Sequence, residues 1–139
     1  MTCLRFEVYG VPEAMPRPRA VRRGLHAGVY QVKPTWMGIV ALRAQEVRRE
    51  TGMAAPLTGP VRLVLDFRMR RPASAPKRKE RPHIGRPDCS NLAKAVEDAI
   101  VPSLLADDAQ IVRLEVKKRY ALEGESPGCR VVVEEAGAG

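Results

Sequence analysis

Aromatic side chains are scarce, 4% of the 139 residues, so whatever core the chain builds must be mostly aliphatic. Long apolar runs are missing too. No stretch approaches the roughly 20 consecutive apolar residues that a membrane-spanning helix needs, and the opening MTCLRFEVYG carries charge where a signal peptide has its apolar centre. No membrane partner is expected. Cysteine is limited to Cys3, Cys89 and Cys129, an odd, scattered set that makes neither a disulfide framework nor a metal-binding spacing. The expected compartment is therefore a reducing one, the cytoplasm. His26 and His83 are the only histidines, and their separation argues against a zinc site or a histidine-based nuclease. Acid is the minority sign: 16 Asp and Glu stand against 24 Lys and Arg, for a formal charge of +8.

What the chain has in abundance is arginine. Only six of its 24 basic residues are lysine, and the planar guanidinium suits two-pronged contacts with phosphate. Such an excess reads either as a nucleic-acid footprint or as a solvated basic surface. Charge alone does not separate the two.

The length suits one domain with a real core. Cys3 to Tyr9 alternates, with Leu4, Phe6 and Val8 on one face, as an amphipathic strand does. Residues 10–28 are too rich in proline, glycine and arginine for a regular element. Pro34-Thr35 offers a helix start, Trp36, Ile39, Val40 and Val47 recur at helical spacing, and Gly52 is a stop. Val61 to Met69 alternates again and is the clearest strand. Arg70 to Pro87 carries Pro72, Pro76, Pro82 and Pro87 in a run of positive charge, and reads as a mobile basic loop. Asn91 to Val101 is a helix stopped by Pro102. Ile111 to Tyr120 is a strand with Val112, Leu114 and Val116 on one face, Cys129 to Glu134 a last short strand, and 135–139 a frayed tail. The expected fold is α+β, a single domain in the order β-α-β-α-β-β, with a small mixed sheet packed against two helices. The order of strands in the sheet does not follow from the sequence.

Chemistry concentrates between Arg86 and Asp108. On the helix, Leu92, Val96, Ala99 and Ile100 share an apolar arc, while Asn91, Lys94 and Asp98 share the polar one. Each residue alone has an ordinary explanation. Asp88 or Ser90 suits an N-cap, Lys94 and Asp98 an i,i+4 pair, and Asp107-Asp108 a turn. Could Asp108 return to Asp88? The helix carries the chain roughly 16 Å away at about 1.5 Å per residue, and an extended Pro102–Asp107 segment spans at most roughly 20 Å. The reach permits a carboxylate cluster without requiring one. Converging carboxylates need a cation, and oxygen-only ligands suggest Mg²⁺. Lys94 would stabilise the same developing charge on a phosphate.

These residues resemble the RusA family of phage and prophage Holliday junction resolvases. Pro87, Asp88, Asn91, Leu92, Lys94 and Asp98 match the family's central pattern, and Asp107-Asp108-Ala109-Gln110-Ile111 its later one. Gly10-x-Pro12 with Pro16-Arg17-Pro18-Arg19 resembles its opening. The resemblance implies an endodeoxyribonuclease that nicks four-way DNA junctions in pairs, as a homodimer with Mg²⁺. By the same resemblance, Asp88, Lys94 and Asp108 are catalytic, and Asp88 and Asp108 bind metal; either Asp98 or Asp107 is a further candidate ligand. Arg17, Arg19, Lys77, Arg78, Lys79 and Arg86 are the expected DNA contacts. One position departs from the family: Ser90 stands where a second aspartate is usual. The alternative reading is therefore a non-catalytic or weakly catalytic binder of branched DNA.

Overall fold

The computed structural model describes residues 1–15, 35–73 and 82–137. Its elements are β1 (Cys3–Tyr9), α1 (Trp36–Thr51), β2 (Val61–Met69), α2 (Cys89–Ile100), β3 (Ile111–Tyr120) and β4 (Gly128–Glu135). The α+β class and the order β-α-β-α-β-β are those expected. α1 begins where the Thr35 side chain accepts a hydrogen bond from the Gly38 amide and ends at Gly52, whose φ of 74° only glycine adopts cheaply. α2 begins two residues earlier than its apolar periodicity suggests, because Asp88 caps it.

The four strands form one sheet in the order β1-β4-β2-β3. β4 runs antiparallel to both neighbours, whereas β3 runs parallel to β2. This register lines side chains up in rows across the sheet. Leu4, Val133, Leu63 and Leu114 form one row, and Phe6, Val131, Leu65 and Val116 the next. The helices cover most of these rows, leaving Leu114 at the β3 edge 44% exposed, so Trp36, Val40, Ala44 and Val47 of α1 and Leu92, Val96 and Ile100 of α2 share one core with the strands. On β3, Val112 departs from the expected alternation. The pairing shifts between Val61 and Arg62, so Val61 meets Ile111 and Arg62 meets Arg113. Val112 is left at the irregularity, 64% exposed.

The other face of the sheet carries charge. Arg62 bridges Glu115 at 3.1 Å and Glu134 at 3.7 Å. Arg68 is sunk to 7% exposure and held by Glu7 at 2.9 Å. Gly128 lies across from it, where any side chain would collide with the Val8 carbonyl and the Arg68 guanidinium.

Two expectations change in detail. Glu135 belongs to β4 and donates its amide to Thr2, and Ala136 donates to Pro60. These residues are tied down rather than frayed. Likewise 82–87, the described end of the presumed mobile loop, is fastened to β3: Pro82 bridges Arg119, and the His83 ring meets Tyr120 edge-on at 4.9 Å. Residues 74–81 lie outside the described part. No helix among the described residues is long and apolar enough to cross a membrane.

Beyond β3 the turn to β4 is braced by Glu125, which accepts from Arg119 at 2.7 and 2.9 Å and from the Leu122 amide. The guanidinium holds this carboxyl down, at about 2 against an ordinary 4.5. Folding therefore gains from the ionised form above the unfolded value, and the gain is lost as pH falls from 4.5 towards 2. Thermal melts of Glu125→Gln should lose stability less steeply than wild type across that window. Parallel curves would show that the brace contributes nothing.

Candidate active site

The site is built on α2. Its apolar arc is buried, with Leu92, Val96 and Ile100 wholly inaccessible, and this fixes which way the polar arc faces. Asp88 Oδ1 accepts from the Asn91 amide at 2.9 Å and so serves as the N-cap. Lys94, two turns on, reaches Asp98 Oδ1 at 3.2 Å.

After α2 the chain turns back through the buried Leu104 and Leu105, and exchanges backbone hydrogen bonds with Leu57. Asp107 then caps a single 3-10 turn, Asp108–Gln110, by accepting from the Ala109 amide at 2.9 Å. Gln110 answers by accepting from the Asp107 amide at 2.8 Å, while its own amide donates to the Leu57 and Gly59 carbonyls. This capping box pins the turn, and Asp108 arrives with Oδ2 3.1 Å from Lys94 Nζ. The adjacent acids thus divide the work. Asp107 shapes the turn, and Asp108 faces the lysine.

Lys94 lies between two carboxylates. Hydrogen bonds to Asp108 and then to Asp98 raise its pKa above the ordinary lysine value, and Lys94 in turn lowers that of Asp108. Both contacts favour the protonated amine. Glu97 adjoins the cluster, its carboxyl pushed up chiefly by burial.

Asp88 and the Lys94 cluster open onto different concavities. Asp88 lines a cleft of about 600 Å³ with Pro12, Glu13, Met15, Arg86 and Asn91. Asp98 and Asp108 line a hollow of about 330 Å³ with Asp107. Among the described residues, no hydrogen bond or ion pair joins Asp88 to Lys94, Asp98 or Asp108, and no group of three or more His, Cys, Asp or Glu side chains is placed to hold a metal ion. The helix gives a reason. Ten residues separate Asp88 from Asp98, about 15 Å of axial rise, so one ion cannot take both while α2 is intact. The expected set Asp88, Asp98 and Asp108 is thus not a single cage. The pair Asp98 and Asp108 does fit a hard cation, since both are oxygen donors already converging on one positive charge.

Arg86 is exposed on the rim of the Asp88 cleft. Arg17, Arg19, Lys77, Arg78 and Lys79, with His26, lie outside the described residues. Cys89 is half-buried and its thiol free. His83 packs on Tyr120, and its pKa is lowered by burial and then by Lys118. Nothing in the sequence marks Lys118 or Glu97. Lys118 looks like one more charge in a basic strand, and Glu97 lies at the border of the helix's two arcs.

The family model described as endodeoxyribonuclease RusA matches residues 10–134. The chain belongs to the RusA family. That match takes in the whole of α2 and the Asp107–Gln110 turn, and the family's activity is that of an endodeoxyribonuclease. A relative within reach of ordinary sequence comparison is the uncharacterized protein YqaN of Bacillus subtilis (strain 168), 34% identical over 151 residues that cover 99% of this chain and 100% of that protein.

If the Gln110 clamp sets the RusA-family turn as described, Gln110→Ala removes three hydrogen bonds and should cost about 2 kcal/mol. Chemical denaturation reads this directly. An unchanged midpoint would mean that water replaces the clamp without loss.

Proposed function

We propose that this chain is a Mg²⁺-dependent endonuclease of branched DNA, which resolves four-way junctions by paired nicks as a homodimer. The observation that carries the reading is Lys94 held at 3.1 Å from Asp108 and 3.2 Å from Asp98, in a strongly basic chain of a nuclease family. A protein that only gripped the DNA backbone would have no use for exposed acids beside its lysine.

Asp108 would hold the metal, with either Asp98 or Asp88 as its companion. Bound Mg²⁺ supplies Lewis-acid stabilisation of the phosphodiester and eases ionisation of water. Lys94 acts as an electrostatic group, because its raised pKa keeps it protonated. Held beside its acids, its ammonium can meet the charge that builds on the phosphate. Asp88, with Arg86 beside it, faces the wider cleft, which suits the approach of a DNA strand. Arg17, Arg19, Lys77, Arg78 and Lys79 would hold phosphates, and a two-fold dimer matches the symmetry of paired cuts.

Two observations favour the other reading, a junction binder that cuts poorly or not at all. Ser90 is exposed in the first turn of α2, where the family usually has an aspartate, and Asp88 is engaged as a cap. A labelled synthetic four-way junction with Mg²⁺ or EDTA separates the two. Asp108→Asn and Asp88→Asn should each lower cleavage by at least about 100-fold, on the scale of losing a charge-stabilising group, while junction binding in EDTA persists. Of Asp98→Asn and Asp88→Asn, the one that raises the Mg²⁺ requirement identifies the companion ligand. Wild-type protein that binds but leaves the junction uncut at every Mg²⁺ concentration would establish the binder.

Assembly and the DNA surface have their own readout. Sedimentation should find two chains per junction, and affinity should fall steeply with salt through counterion release. Neutralising Lys77, Arg78 and Lys79 together should flatten that slope. An unchanged slope removes these residues from the DNA surface, and a strict monomer on DNA removes the symmetric mechanism.

A further inference from the structure

The rows of side chains beneath the helices contain one anomaly. Val8, Cys129 and Phe67 are buried apolar residues, and their row ends on β3 at Lys118. The neighbouring positions of that face, Val116 and Tyr120, are apolar or aromatic and pack against the core. A lysine here costs side-chain entropy and partial desolvation, and its stem could be replaced by an apolar residue without loss to packing. Its ammonium explains it. Nζ donates to the Gly85 carbonyl at 2.5 Å and to the Pro87 carbonyl at 2.8 Å.

These two carbonyls flank Arg86 and come immediately before Asp88. Lys118 ties the strap 82–87 at the end next to Asp88. Two of its residues are prolines without an amide donor. At its far end it is tied by the bridge of Pro82 to Arg119 and the ring contact of His83 with Tyr120. A charge-assisted hydrogen bond is stronger than a neutral one, and here two of them fix the backbone on either side of one residue. From this we infer that Lys118 is the positioning residue of the site: it locks the strap so that Arg86 and Asp88 are presented on the cleft at the head of α2. The inference rests on the nuclease reading of Asp88 and extends it to a residue on another element.

The test is Lys118→Met, which keeps the length and apolar stem and deletes the donor, with Lys118→Arg as the conservative partner. Three things are measured on full-length protein. On a four-way junction with Mg²⁺, kcat should fall by about 10- to 100-fold, the usual cost of losing a group that orients a catalytic one, with KM changed by no more than about threefold. Lys118→Arg, which can still donate to both carbonyls, should recover most of the rate. Without metal or DNA, amide hydrogen exchange should quicken in residues 83–91 of Lys118→Met and stay at the wild-type rate in β2 and α1. Should Lys118→Met fail to fold, Lys118→Gln, with a shorter neutral donor, takes the same measurements.

The outcomes are distinguishable. If Asp88→Asn is inactive while Lys118→Met cuts and exchanges like wild type, the positioning role is wrong and the nuclease reading stands. If Asp88→Asn cuts at the wild-type rate, the reading of Asp88 fails and the inference fails with it. If exchange quickens everywhere and Lys118→Arg does not restore the rate, Lys118 is merely structural and the inference is overturned.

Discussion

The burial of one face of α2 is the constraint on which the rest of the site depends. Leu92, Val96 and Ile100 are fully inaccessible, and each such side chain is worth roughly 1.5–3 kcal/mol when taken from water. Rotating the helix by one residue, about 100°, would expose that surface and push Lys94 towards the core. The hydrophobic effect has no direction of its own, yet here it sets the bearing of every polar group on the helix. Lys94 and Asp98 face outward because the apolar and small residues of α2 take the inward face.

A second constraint is electrostatic. Asp98 and Asp108 share Lys94, so the three together carry one net negative charge in a chain whose formal total is +8. A phosphodiester approaching that point meets like charge unless a cation is added. Here a divalent ion can do what the arginines cannot, since it brings two charges into a space that a guanidinium is too large to share. Lys94 offers a different benefit. Held by two acids in the absence of DNA, it need not find its place when substrate arrives, and preorganised charge is the cheaper kind at the moment of reaction.

Local chemistry made much of this legible in the sequence. The alternation of β2 and the apolar arc of α2 are properties of neighbouring residues, and the caps at Thr35 and Asp88 follow from side chains that compete for free helix amides. The pairing of Lys94 with Asp98 is equally local, at i,i+4 spacing. What the sequence withheld depends on contacts between distant residues. The strand order needs the parallel pairing of β2 with β3, and the slip that strands Val112 exists only in that pairing. The division of labour between Asp107 and Asp108 rests on Gln110 reaching Leu57 and Gly59. Lys118 and His83 take on meaning only because 82–87 folds back onto β3.

The separation of Asp88 from the Lys94 cluster has an architectural consequence. The cleft around Asp88 is walled by two straps, 11–15 on one side and 82–87 on the other, and the Met15 amide donates to the Asn91 carbonyl to close the first against α2. In the sequence, the first strap runs on to Arg17 and Arg19, and the second is preceded by Lys77, Arg78 and Lys79. Both basic segments are thus joined to the rims of the same cleft. Among the described residues, the hollow at the other end of α2 is walled by the turn after Pro102. The helix, a little over three turns long, therefore separates Asp88 and its cleft from the pair Asp98 and Asp108, which fits a hard cation.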